Sequence, residues 1–284
     1  MSERINDLRD GVLRFAARMW RRPDMPGDWI VSDYSDLVNR AFADVTANVR
    51  GDGEYVRLSG QSGSGKTTQL LPAALAGFRA AGLNPAHVSV GFFARYHPFY
   101  NEIRARFGDM MLRESTNEFA LILMFLTLEK MLRSGCPMVL EVALLDAVFE
   151  EFIALLLLSA GYRCEHHVLA VGKPVSDEFI KKRAECEGRV VTKKSADYFY
   201  DAQRRGLVFL GTVCPLVPCV LWNAFDANPT FVGRMSDAEM LAAFNRCRAM
   251  APSAVADEAA LLAAKTDWFI NRRLESLSPA GISS

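Results

Sequence analysis

Residues Gly60-Gln61-Ser62-Gly63-Ser64-Gly65-Lys66-Thr67 follow the pattern G-x-x-x-x-G-K-T, a spacing suited to binding a phosphorylated nucleotide. Glycines let the backbone turn with positive φ and aim several N–H groups at one anion. Lys66 is placed to reach the β- and γ-phosphates, the Thr67 hydroxyl to ligate Mg2+, and Thr68 to continue the cradle. The flanks agree: the β-branched and aromatic run at 54–59 predicts a strand, and 67–81 predicts a helix whose positive N-terminus lies under the phosphates. ATP is the expected nucleotide. The Asn-Lys-x-Asp pattern that reads guanine is absent, and Thr192-Lys193-Lys194-Ser195 is a poor substitute.

A phosphate loop serves many activities, so its companions must choose among them. Phe92 through Tyr100, with Arg95 and His97-Pro98, follows the second expected strand, where open α/β sheets bind ligands. The alternative is that its aromatics belong to the core. Met138-Val139-Leu140-Glu141 is an apolar strand ending in a carboxylate, a Walker B element, a substrate-binding acid or an ordinary strand-end charge. Lys181-Lys182-Arg183 and Arg189 form a basic cluster after a helix. Such cations neutralise charge on a moving phosphoryl group, or simply compensate a helix end.

In this order the elements resemble the zeta toxin family, phosphate-loop kinases of bacterial toxin–antitoxin systems that phosphorylate UDP-N-acetylglucosamine. The resemblance runs from about residue 55 to 201. It rests on Gly60–Thr67, Phe93 to Tyr100 with His97-Pro98, the strand ending at Glu141, the stretch 160–171, Arg183, Arg189 and residues 197–200. It implies that Lys66 stabilises the transferred phosphoryl group, Thr67 binds Mg2+, and Glu141, with Arg95 and His97 nearby, holds the substrate. Arg183 and Arg189 clamp phosphates, and an antitoxin protein partners the chain.

The pattern breaks at the family's base. An aspartate stands six residues before the His of His-Pro in that family; here the position is Gly91. Loss of a general base costs about 10²–10⁴ in rate. Val142 and Ala143 replace the threonines that often follow the glutamate, and the connection from Arg183 to Arg189 is short. Three readings follow: a kinase whose base is Glu141, Asp109 or Asp146; an ATP-binding pseudokinase; or a nucleotidase that uses water.

Strand and helix patterns alternate after residue 54, predicting an α/β fold, a P-loop NTPase-like parallel sheet with flanking helices. Strands are expected at 55–59, 87–90, 137–141, 164–170 and 206–212, with another at 219–224. Helices are expected at 67–81, 116–134, 144–161 and 176–186. Residues 1–49 form a helical N-terminal extension with helices at 5–20 and 33–49. Residues 50–228 form the kinase-like unit. Residues 229–284 add C-terminal helices at 236–250, opened by a Ser236/Glu239 capping box, and 257–274. Lys+Arg and Asp+Glu each total 33 of 284 residues, so no global field favours nucleic acid. The apolar run 152–160 falls short of the roughly twenty residues of a membrane span. No secretory pattern opens the chain, and the six cysteines make no zinc spacing with the four histidines. A cytoplasmic protein with reduced thiols is expected.

Overall fold

The computed structural model describes residues 2–51, 53–143, 147–187, 190–250 and 257–277. Helices α1 (Ser2–Trp20) and α2 (Ser35–Thr46) precede strand β1 (Glu54–Ser59). A π-helical turn at Lys66–Leu70 then leads into α3 (Leu71–Ala80). After these come β2 (Ala86–Ser89), the short α4 (Val90–Phe93), the long α5 (Tyr100–Arg133), β3 (Met138–Glu141) and α6 (Ala147–Ala160). β4 (Arg163–Ala170), α7 (Lys173–Glu187), α8 (Lys193–Val213) and β5 (Pro218–Asn223) follow. The described chain closes with β6 (Phe231–Arg234), α9 (Ala238–Ala249) and α10 (Glu258–Leu277).

The strands form one sheet in the order β2-β3-β1-β4-β5-β6. Neighbours are parallel except β6, which runs antiparallel to β5. Every residue of β1 is buried, as expected of a central parallel strand covered on both faces. Its side chains alternate between two cores: Tyr55 faces the layer of α1, α5 and α6, while Val56 and Leu58 pack with Phe78 of α3 and Phe269 of α10. Parallel strands joined by crossover helices bring their carboxyl ends to one edge, where such sheets place ligands.

Both terminal extensions enter these cores. Ile5, Leu8, Val12 and Phe15 of α1 are buried, and the Phe15 ring meets Phe149 of α6 edge-on at 4.9 Å. On the opposite face, α10 lies so close to α3 that a Cβ on Gly77 would stand 2.9 Å from the Phe269 carbonyl oxygen. Arg273 of α10 also donates to the buried carboxylate of Glu54 on β1.

Three expectations need correction. Residues 206–212 are helical, the last turns of α8, not a strand. Leu207 and Leu210 are buried at a helical spacing of three while Val208 between them is exposed; a short apolar run leaves that choice open in sequence. The helix from 100 begins far earlier than 116, interrupted at Gly108, whose φ of 75° and ψ of 164° break the α-helical path. Ser236 does not cap α9. Asp237 precedes the helix, and its carboxylate instead accepts from the Arg234 N–H at 2.7 Å, closing the turn after β6. Strand β6 itself carries no alternating pattern long enough to be read in advance.

Candidate functional site

The carboxyl end of β1 runs directly into the glycine loop. Gly63 and Gly65 have φ of 73° and 99°, values that strain any residue with a Cβ. Gly60 is excluded from change by space instead: a Cβ there would stand 2.6 Å from the Leu169 carbonyl oxygen. Neighbouring elements hold the loop in place. Gln61 Nε2 donates to the Val171 carbonyl at 2.7 Å, and Ser176 Oγ of α7 donates to the Ser62 carbonyl at 2.5 Å. Thr68 Oγ1 reaches the Gly65 carbonyl at 3.3 Å.

A buried polar network roots the loop from below. Arg57 makes a two-pronged ion pair with Glu150 of α6, at 2.5 and 2.8 Å, and both side chains are buried. Arg57 Nε also donates to Ser59 Oγ at 3.1 Å, and Ser59 Oγ lies 2.7 Å from His166 Nε2. Burial, reinforced by the Arg57 charge, holds the His166 pKa well below its ordinary value. The neutral imidazole and the Arg57 guanidinium together hold the Ser59 hydroxyl, fixing the residue before Gly60 from two sides.

Lys66 folds back over the loop, donating to the Gly60 and Gln61 carbonyls at 2.7 and 3.0 Å. Burial pushes its pKa down to about 8, Glu141 opposes that fall, and the charges of Arg113 and Arg183 add to it. The structure thus brings Lys66 and Glu141 together at the loop, with the charges of the expected Arg183 and of Arg113 on α5 acting on Lys66. Nothing in sequence singles out Arg113, because only the fold brings its charge to bear on Lys66 from a distant part of the chain.

Glu141, at the end of β3, accepts a hydrogen bond from Thr67 Oγ1 and lies 3.2 Å from His87 Nε2. Burial opposes its ionisation, yet His87, Lys66 and Thr67 together hold the carboxyl below its ordinary pKa. His87, one strand over, also escapes the motif reading.

Arg95 and His97 engage their own neighbours. The Arg95 guanidinium lies 4.0 Å over the Phe92 ring and donates to Tyr96 Oη at 3.3 Å, and Tyr96 donates to Asp44 at 2.5 Å. The buried His97 ring packs edge-on to Phe119 at 4.5 Å, and its Nδ1 accepts from the Phe99 N–H at 3.1 Å. Burial pushes the His97 pKa down to about 4, leaving it neutral at pH 7. Asp109 is ion-paired with Arg104 at the surface. Arg189 and Asp146 lie outside the described residues. Gly91 sits in α4 without positive φ, and a Cβ there would meet nothing within 4 Å. Neither strain nor crowding demands glycine at that position.

These residues fit a nucleotide with a divalent cation. Ser64 Oγ and Gln61 Oε1 are buried in the loop without a hydrogen-bond partner, and Lys66 and the Thr67 hydroxyl stand with the Glu141 carboxylate at the mouth of the loop. A hydroxyl keeps lone pairs while donating, so Thr67 can ligate Mg2+ and still bond Glu141. Among the described residues, no helix is long and apolar enough to cross a membrane.

No curated protein matches the sequence. Among solved structures, one from the PezAT chromosomal toxin–antitoxin system of the human pathogen Streptococcus pneumoniae is similar, with a TM-score of 0.62 and 17% identity, covering 87% of this chain and 98% of that one. A second, of AvrRxo1-ORF1:AvrRxo1-ORF2 with sulphate ions, has a TM-score of 0.52 and 14% identity, covering 85% and 87%. At such identities the likeness is one of fold, the P-loop kinase-like architecture with helical flanks. The family model described as "Zeta toxin" matches residues 43–219, more than half of the chain and the whole stretch from the root of the phosphate loop to the start of β5. By that match, the chain belongs to the zeta toxin family.

Proposed function

We propose that this protein is an ATP- and Mg2+-dependent kinase that transfers the γ-phosphoryl group to a hydroxyl of a small molecule, with a nucleotide sugar such as UDP-N-acetylglucosamine as acceptor. The observation that carries this reading is the phosphate loop with Lys66 folded over it and Thr67 bonded to the Glu141 carboxylate at the end of β3. Phosphoryl transfer is driven mainly by positioning and charge neutralisation, and this site is built of both. Mg2+, bound through Thr67, would neutralise charge on the β- and γ-phosphates.

The acceptor oxygen attacks the γ-phosphorus, the bond to the β–γ bridging oxygen breaks, and ADP leaves. The acceptor proton passes to Glu141, the carboxylate held ionised beside the loop. Lys66 and Arg183 offset the charge that develops on the moving group, and Arg189 is assigned the same task from the family pattern. Arg95 and His97 are assigned to the acceptor side, where their loop follows β2. An antitoxin protein, closing the site in the cytoplasm, completes the reading.

Gly91 supports a second reading, an ATP-binding pseudokinase, because the family's carboxylate is missing. The two separate in one experiment: incubation with γ-labelled ATP, MgCl2 and UDP-N-acetylglucosamine, using wild type, Lys66→Ala and Arg189→Ala. The kinase reading expects a labelled sugar product that both variants abolish. ATP binding with neither a labelled sugar nor released labelled phosphate favours the pseudokinase, and released phosphate alone favours the nucleotidase. Unchanged ATP affinity in Lys66→Ala removes the phosphate-loop argument from both.

A further inference from the structure

Lys265, on α10, is fully buried, an uncommon place for an ammonium group. It lies beyond the segment that matches the family. Its Nζ donates to Gln69 Oε1 at 2.7 Å and to the carbonyls of Ala224 and Asn223 at 3.3 and 3.4 Å. An ammonium has three donors, and these acceptors satisfy all of them. Burial pushes its pKa down to about 8, so it remains protonated at pH 7. The hydrogen-bond acceptors are all neutral and the Asp226 charge only partly offsets the burial, so the ammonium is expensive there, and an apolar side chain of similar volume would serve simple packing better.

The acceptors show what the ammonium organises. Gln69 lies in the π-helical turn Lys66–Leu70, one residue from Thr68 and two from Thr67. Its N–H donates to the Gly65 carbonyl at 2.9 Å, and its side-chain amide lies against the Gly65 backbone, 3.5 Å from where a Cβ would be. Asn223 ends β5 and Ala224 follows it, at the same sheet edge. One ammonium from the C-terminal helix therefore fixes both the first turn after the phosphate loop and the end of a neighbouring strand.

We propose that Lys265 is a positioning residue for the nucleotide's phosphates, acting through Gln69, so that α10 is a working part of the nucleotide site. This rests on the nucleotide-binding reading above. Lys265 touches no phosphate; it holds the amide that holds the loop.

The test measures calorimetric binding of ATP and of inorganic tripolyphosphate, which lacks base and ribose, both with MgCl2 and well below the unfolding temperature. Lys265→Met is expected to weaken both ligands about tenfold, the worth of one hydrogen bond to a charged group. Gln69→Leu is expected to give a similar loss, and the double variant no more than either alone, because the two act as one unit. Phe269→Leu, which loosens the same helix without reaching Gln69, is expected to lower the unfolding temperature and leave tripolyphosphate affinity unchanged. Normal tripolyphosphate binding by Lys265→Met overturns the proposal, as does an equal loss in Phe269→Leu. If Lys265→Met does not fold, normal binding by Gln69→Leu overturns it as well. Failure of the nucleotide reading is distinct: wild type then binds neither ligand.

Discussion

Thr67 donates its hydroxyl hydrogen to Glu141 across 74 positions of sequence, joining the phosphate loop to the end of β3. The bond closes the site from one side, and Lys66 supplies opposing charge to the same carboxylate. Parallel pairing of β1 with β3, which sets Leu58 opposite Glu141, makes the contact possible.

Glu141→Gln keeps the shape of the side chain and removes its charge and basicity. Transfer to the acceptor is expected to fall about 10²–10⁴-fold, with ATP affinity changed far less. Single-turnover transfer with γ-labelled ATP measures the first quantity and calorimetry the second. Full transfer by the variant would exclude Glu141 as the proton acceptor.

Gly91→Asp should be accommodated, since the added Cβ meets nothing within 4 Å and the backbone is not left-handed. The unfolding temperature is expected to stay near that of wild type. Transfer is expected to rise in the Glu141→Gln background more than in wild type, because the new carboxylate supplies the missing base. Equal effects in both backgrounds would mean that the two carboxylates do not share a task.

Glu150→Ala leaves the buried Arg57 guanidinium without its counter-charge. Removing one partner of a buried pair costs about 3–5 kcal/mol, read here by urea unfolding. Because Arg57 also holds Ser59 at the root of the loop, ATP affinity is expected to drop in protein that is still folded. Wild-type stability in Glu150→Ala would rule out the pair as an anchor.

The His97 pKa is pushed from its ordinary 6.5 down to about 4 by burial. The unfolded chain therefore binds more protons than the native one between those values, so stability is full above about pH 6.5 and declines as pH falls toward 4. The loss attributable to His97 is at most about 3 kcal/mol. His166, displaced in the same direction, adds to the slope. His97→Phe is expected to unfold with a shallower pH dependence across this window. An unchanged slope would show that His97 does not titrate on unfolding.

Much of this site is legible in sequence, and the reason is locality. The loop Gly60–Thr67 needs particular residue types at adjacent positions, and the apolar strands ending at Ser59 and Glu141 carry their own punctuation. The run at 206–212 misleads because a short apolar segment suits a strand or a buried helix face equally well. Docking against β4 and β5, through Leu207, Leu210 and Leu221, makes it helical.

What the sequence alone determined is the phosphate cradle, the alternating α/β order and the absence of a carboxylate at position 91. Each depends on neighbours along the chain, whose chemistry and spacing are visible directly. Tertiary structure decided the rest. It brought the Arg113 charge to bear on Lys66, placed His87 against Glu141, rooted the loop on Arg57 and Glu150, and brought Lys265 to Gln69 across 196 positions. Those contacts arise only when parallel strands stack their carboxyl ends at one edge and helices from both termini pack onto the two faces, a geometry to which no local run of residues bears witness.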